Sequence, residues 1–210
     1  MIGLLLKELY TLRQYLKTLL FMLVLFAVIS AGLDNPSAFL EGFIILMSAM
    51  LTISSFSYDE MSKWNRYALA MPLTRKEIVG SKYLLSIVLC LTGAAISFVI
   101  SQIVLIIKPM EEFGLREQLL TVGAILCVAF IFIGLLMPLT FQFGVEKSRL
   151  LMILVFATPT AGILVLSKMG IPMPSESSII TFAKVIPVFT VALYVLSYWI
   201  SVKIFSGKEL

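Results

Sequence analysis

Side chains able to do chemistry are scarce in this 210-residue sequence, and most of them fall in one stretch. From Tyr58 to Tyr83 the chain reads YDEMSKWNRYALAMPLTRKEIVGSKY, its only long charged segment, while the whole is 60% hydrophobic and 13% charged. Histidine is absent, and Cys90 and Cys127 both lie in apolar runs where a thiolate is costly. Buried structural thiols are therefore expected, with neither a disulfide framework nor a metal site. No phosphate loop of the form Gly-x-x-x-x-Gly-Lys-Ser/Thr occurs: Ser206, Gly207, Lys208 and Glu209 lack both the upstream glycine and the following hydroxyl. The chain is not expected to be an enzyme, and any nucleotide chemistry has to come from a partner.

The elements that would carry this segment are lipid-like. Mean hydropathy is +1.05, and a soluble domain of this size carries about 25% charged residues. Six apolar runs, at about 18–33, 39–57, 83–107, 118–143, 150–167 and 185–202, are long enough to cross a ~30 Å hydrocarbon core. The expectation is an all-α, polytopic membrane protein with a single transmembrane domain over 1–210. Of the 16 lysines and arginines, Lys108, Arg116, Lys168 and Lys184 fall on one side and the remaining twelve on the other. By the positive-inside rule both termini and the segment 58–82 face the cytoplasm. The pI near 9.1 thus reports orientation rather than nucleic-acid binding, because the basic residues are spread along short loops.

Residues 1–17 carry Ile2, Leu5, Leu6, Leu9, Leu12 and Leu16 at helical spacing, with Lys7, Glu8, Thr11 and Gln14 between them. That pattern predicts an amphipathic helix in the membrane interface, leucines down, and not a cleaved signal peptide. Within the spans only Glu41 is ionisable, near the outer end of the second. Either it snorkels to the headgroups or it serves a substrate or a neighbouring helix. Pro138, Pro159 and Pro187 are hinges or tolerated kinks. The small-residue runs 27–32 and 157–162 are candidate helix contacts within or between subunits. Segment 168–184, with Pro172 and Pro174, reads as an extracellular or re-entrant helix.

Inside the polar segment Met61, Trp64, Tyr67, Ala68 and Met71 share one face of a helix expected from Asp59 to Met71, with Asp59 and Lys63 spaced for an i,i+4 pair. Pro72 ends it. Thr74 as N-cap and Glu77 at N3 form a capping box, and Leu73 and Ile78 a hydrophobic staple, so a new helix starts at Thr74 and runs into the third span. By composition alone this is either an amphipathic loop resting on lipid or a docking element.

The pattern Tyr58-Asp59-Glu60, Lys63-Trp64-Asn65-Arg66-Tyr67, Pro72-Leu73-Thr74-Arg75-Lys76-Glu77-Ile78-Val79 and Lys82-Tyr83 resembles the small ABC-2 type permeases, in particular those of phenol-soluble-modulin and antimicrobial-peptide exporters. The detailed match covers about twenty-five residues. The resemblance implies a coupling helix between spans two and three that docks on a cytoplasmic ABC ATPase through Asp59, Glu60, Met61, Lys63, Trp64, Arg66, Tyr67 and Met71. It implies that Pro72, Leu73, Thr74, Glu77 and Ile78 form the following elbow, and that residues 1–17 form the so-called elbow helix. It further implies a bacterial cytoplasmic membrane, a second permease subunit as homo- or heterodimer, lipid contact, and a peptide substrate. ATP and magnesium are then expected on the partner ATPase, with no cofactor in this chain and no nucleic acid.

Charge-poor spans leave little for an ion-coupled secondary transporter. A non-transporting membrane scaffold or a peptide-immunity protein is the alternative reading.

Overall fold

The computed structural model describes residues 2–30, 36–107, 114–151, 153, 157 and 176–208, and all regular structure among them is helical. The helices are α1 (Ile2–Leu12), a short 3-10 turn (Arg13–Tyr15), α2 (Leu16–Ser30), α3 (Pro36–Met61), α4 (Trp64–Ala70), α5 (Arg75–Ile107), α6 (Leu115–Phe143) and α7 (Glu176–Ser206). Residues 145–151 are helical as well.

Four helices are long and apolar enough to cross a membrane: Ser37–Met61, Arg75–Val104, Leu115–Phe143 and Val185–Ser206. They coincide with four of the six expected runs. Of the first expected span α2 covers the part up to Ser30, residues 31–33 lying outside the described residues, and α2 meets the preceding helix at a 55° bend. The pair together would make a fifth crossing. The run 150–167 lies almost wholly outside the described residues, as do Pro159, 168–175, and the small-residue segments beyond Ser30 and Ala157. Residues 176–184 continue without a break into the helix of the last span.

The chain divides into two compact units, Met1–Phe130 and Ile131–Glu209. In the first, α3 and α5 make the most extensive helix pairing. Asp59 meets Lys82, while Ser48 lies against Gly93, so numbers rise along one helix as they fall along the other and the pair is antiparallel. Leu40, Ile45, Ala49, Leu85 and Cys90 are fully buried in this unit. At Gly93 the two helices pack closely. A Cβ there would sit 2.7 Å from Ser48 Cβ, so only glycine fits without displacing α3. Cys90 and Cys127 are both free thiols.

In the second unit the interior Pro138 of α6 lacks the N–H that would bond the carbonyl four residues back, at Gly134. The hydroxyl of Ser197 on α7 supplies the missing donor, reaching Gly134 O at 2.6 Å. Gly134 also admits Leu193, whose Cδ2 would lie 2.6 Å from a Cβ. Phe141 and Phe205 meet edge to face at 5.6 Å. Pro138 is thus a packed kink whose freed carbonyl is satisfied from a neighbouring helix.

Candidate functional site

The polar segment folds differently from one continuous helix. α3 runs on to Met61, then breaks at Lys63, which takes up the left-handed conformation (φ 50°, ψ 32°) without a side-chain cap. It is the only non-glycine residue with positive φ among those described. The short α4 that follows is therefore out of register with α3, and the expected common face is split. Met61, Tyr67 and Met71 are 81%, 64% and 47% exposed, Ala68 is buried, and Trp64 is half-buried. Glu60 and Lys63 are exposed; Arg66 lies on α4 with its side chain outside the described set.

The capping box forms as its spacing dictates. Thr74 N–H donates to Glu77 Oε2 at 2.8 Å, Thr74 Oγ1 donates to the same oxygen at 2.8 Å, and Glu77 N–H donates back to Thr74 Oγ1 at 3.3 Å. α5 then starts at Arg75, with Ile78 buried and Leu73 half-buried behind the exposed Pro72.

Asp59 does not pair with Lys63. It turns inward instead, into a buried cluster built from three helices: Lys7 and Glu8 of α1, Ser55 and Asp59 of α3, and Lys82 of α5. Lys82 Nζ lies 2.7 Å from Glu8 Oε1 and 2.5 Å from Asp59 Oδ2, and donates to Ser55 Oγ at 2.6 Å. Ser55 Oγ in turn donates to Glu8 Oε2, and Lys7 bridges Asp59 and Glu8, the latter at 3.2 Å. Two acids face two bases, so the cluster is neutral overall. That balance is what permits Glu8, Asp59 and Lys82 to be almost wholly buried. Two aromatic faces complete the cage. Lys7 Nζ stands 4.5 Å above the Trp64 ring, and Lys82 Nζ 4.9 Å above that of Phe56. Tyr15 and Tyr58 meet edge to face at 5.5 Å nearby in sequence.

Of the thirteen residues singled out from sequence for docking and capping, Asp59, which is buried, and Trp64, which is half-buried, take part in this cluster. Lys7, Glu8, Ser55 and Lys82 were not singled out for any such role. The leucines of α1 divide between two faces: Leu4 and Leu12 are buried against the protein together with Glu8, while Leu6 and Leu9 are exposed. A signal was present, since each of the three segments that meet here carries a charge where an apolar run begins or ends.

A second buried polar group crosses the other end of α3. Glu41 is 1% exposed, so it does not snorkel. Its Oε1 accepts from Gln118 Nε2 at 3.0 Å, and Gln118 Oε1 accepts from Gln102 Nε2, which links α3, α6 and α5. Glu41 Oε2 and the hydroxyls of Ser37 and Ser101 are buried without a hydrogen-bond partner. No group of three potential metal ligands occurs among the described residues.

A geometry of this kind holds the three helices together. A family model described as ABC-2 family transporter protein matches residues 3–206, nearly the whole chain. The chain belongs to that family. ABC-2 membership makes it a membrane protein of the permease type and implies pairing with an ABC ATPase subunit. A comparison with curated proteins finds no match.

Proposed function

We propose that this chain is the membrane-spanning subunit of a bacterial ABC exporter for amphipathic or hydrophobic peptides, driven by ATP hydrolysis on a separate subunit. The observation that carries the reading is the neutral cluster of Lys7, Glu8, Asp59 and Lys82, which fastens α1 to the ends of α3 and α5 immediately before the exposed α4. A push on α4 cannot be absorbed locally, because the end of α3 is clamped by ion pairs to both other helices. The ATPase docks on the apolar side chains left outward around α4, Met61, Tyr67 and Met71. Magnesium and ATP belong to the partner, and two six-span subunits, as homo- or heterodimer, enclose the pathway. The twelve-to-four distribution of basic residues supports cytoplasmic termini and a cytoplasmic α4. The peptide substrate is supported by the resemblance of residues 58–83.

Co-purification with the partner ATPase tests the reading. An aromatic anchor in an interface commonly contributes ~2 kcal/mol, about thirty-fold in affinity. Tyr67→Ala should lower ATPase retention by about that factor and abolish peptide-stimulated hydrolysis, with membrane insertion unchanged. Unaltered retention in both Tyr67→Ala and Met71→Ala rejects docking at α4.

A further inference from the structure

Beside the bend between α1 and α2 lies an open apolar cavity of about 370 Å³ whose walls come from four helices, among them Leu12, Leu19, Leu51 and Leu89. The polar side chains at its edge are Tyr10 and Arg13. Arg13 sits on the 3-10 turn at the elbow, exposed, and makes no ion pair among the described residues; Lys17, one turn on, is exposed and unpaired likewise. Leu51 precedes Asp59 by about two helical turns and Leu89 follows Lys82 by about two, which sets the cavity ~10–12 Å along α3 and α5 from the ionic cluster. The leucine wall thus lies within the apolar runs of α3 and α5, while the Arg13 guanidinium stands at its edge.

We propose that this cavity binds one anionic phospholipid, with an acyl chain against the leucine wall and its phosphate on Arg13, aided by Lys17. Charge complementarity selects the occupant. A zwitterionic lipid would bring its own cation to a mouth already carrying Arg13, whereas a guanidinium matches phosphate oxygens in a two-pronged hydrogen bond. Lipid spread over the exposed helix faces meets one surface, but here four helices contribute to one apolar groove. The inference is independent of the transport reading, since it needs neither the ATPase nor a substrate.

Native mass spectrometry of the detergent-purified full chain, titrated with phosphatidylglycerol or with phosphatidylcholine of the same acyl chains, tests it. Wild type should retain phosphatidylglycerol about ten-fold better, and Arg13→Gln should lose about five-fold of that, one surface cation's share, while Arg13→Lys keeps most of it. Leu89→Phe and Leu51→Phe fill the cavity and should lower retention of both lipids alike, with the thermal unfolding midpoint held. An undiminished preference in Arg13→Gln overturns the proposal. So does full lipid retention in the two filled variants, or displacement of phosphatidylglycerol by inorganic phosphate alone.

Discussion

Lys82 Nζ, on α5, lies 2.7 Å from Glu8 Oε1, on α1, and each side chain is only 3% exposed. Seventy-four residues separate the two in sequence. Removing one member of a buried pair strands the other charge at a cost of about 3–5 kcal/mol. Lys82→Met should therefore destabilise strongly, because Glu8 and Asp59 are then left with Lys7 alone. The double variant Glu8→Gln with Lys82→Met leaves Lys7 and Asp59 as a balanced pair, and should unfold later than Lys82→Met. Unfolding in detergent measures this; a double variant as unstable as the sum of the singles would show that charge balance is not what holds the cluster.

At the α3–α5 crossing, Gly93 leaves no room for a side chain beside Ser48. Gly93→Ala should cost about 1–3 kcal/mol by overpacking. Ser48→Gly removes the opposing atoms, so combined with Gly93→Ala it should recover most of the loss despite the added backbone freedom. An additive double variant in the same unfolding assay would place the strain elsewhere.

How much of this was legible in the sequence depends on the range of each interaction. Four spans follow from apolar length, and the Thr74–Glu77 box follows from a spacing of three, so both are local and both appear in the structure. Asp59 had a tempting local partner in Lys63, yet its actual partners are Lys7 and Lys82, 52 and 23 residues away. Only tertiary packing brings those together. The break at Lys63 carries no glycine or proline to announce it, and once α3 and α4 fall out of register the shared apolar face disappears. Glu8 looked like part of a solvated stripe because periodicity cannot say which face of a helix meets the protein. Glu41 looked able to reach the headgroups because nothing in its own neighbourhood foretold Gln118 on another helix.

Gln118 stands between Glu41 and Gln102 as acceptor and donor at once. Gln118→Leu leaves both neighbours unpaired in an apolar interior and should cost about 1–3 kcal/mol. Glu41→Gln keeps the Oε1 acceptor and exchanges the unpartnered Oε2 for an amide NH2 of the same shape, so stability should be little changed and transport largely intact. Loss of transport in Glu41→Gln at normal expression and unfolding midpoint would assign this carboxyl to substrate handling.

Orientation is tested with single cysteines in a chain lacking Cys90 and Cys127. Ser62 and Gly114 are both exposed, whereas Ser37 and Ser148 are buried and would resist reagents from either side. A cysteine at position 114 should react with an impermeant thiol reagent added to intact cells, and one at position 62 only after lysis. Labelling of position 62 from outside would reverse the topology and remove α4 from the reach of a cytoplasmic ATPase.

The bond from Ser197 Oγ to Gly134 O exists because Pro138 has no N–H to give. Between membrane helices such a bond contributes ~0.6 kcal/mol on average and up to ~1.7. The upper part of that range is expected here, since the carbonyl has lost its own helical donor. Ser197→Ala should therefore destabilise by about 1–2 kcal/mol in the native background. In Pro138→Ala the new N–H at position 138 can reach Gly134 O within α6, and the same Ser197→Ala change should cost less than half as much. The interaction energy from this four-protein cycle, read from unfolding in detergent, isolates the coupling between the kink and the hydroxyl. Equal cost of Ser197→Ala in both backgrounds would mean that Ser197 contributes by packing against Gly134, and that the kink needs no donor from α7.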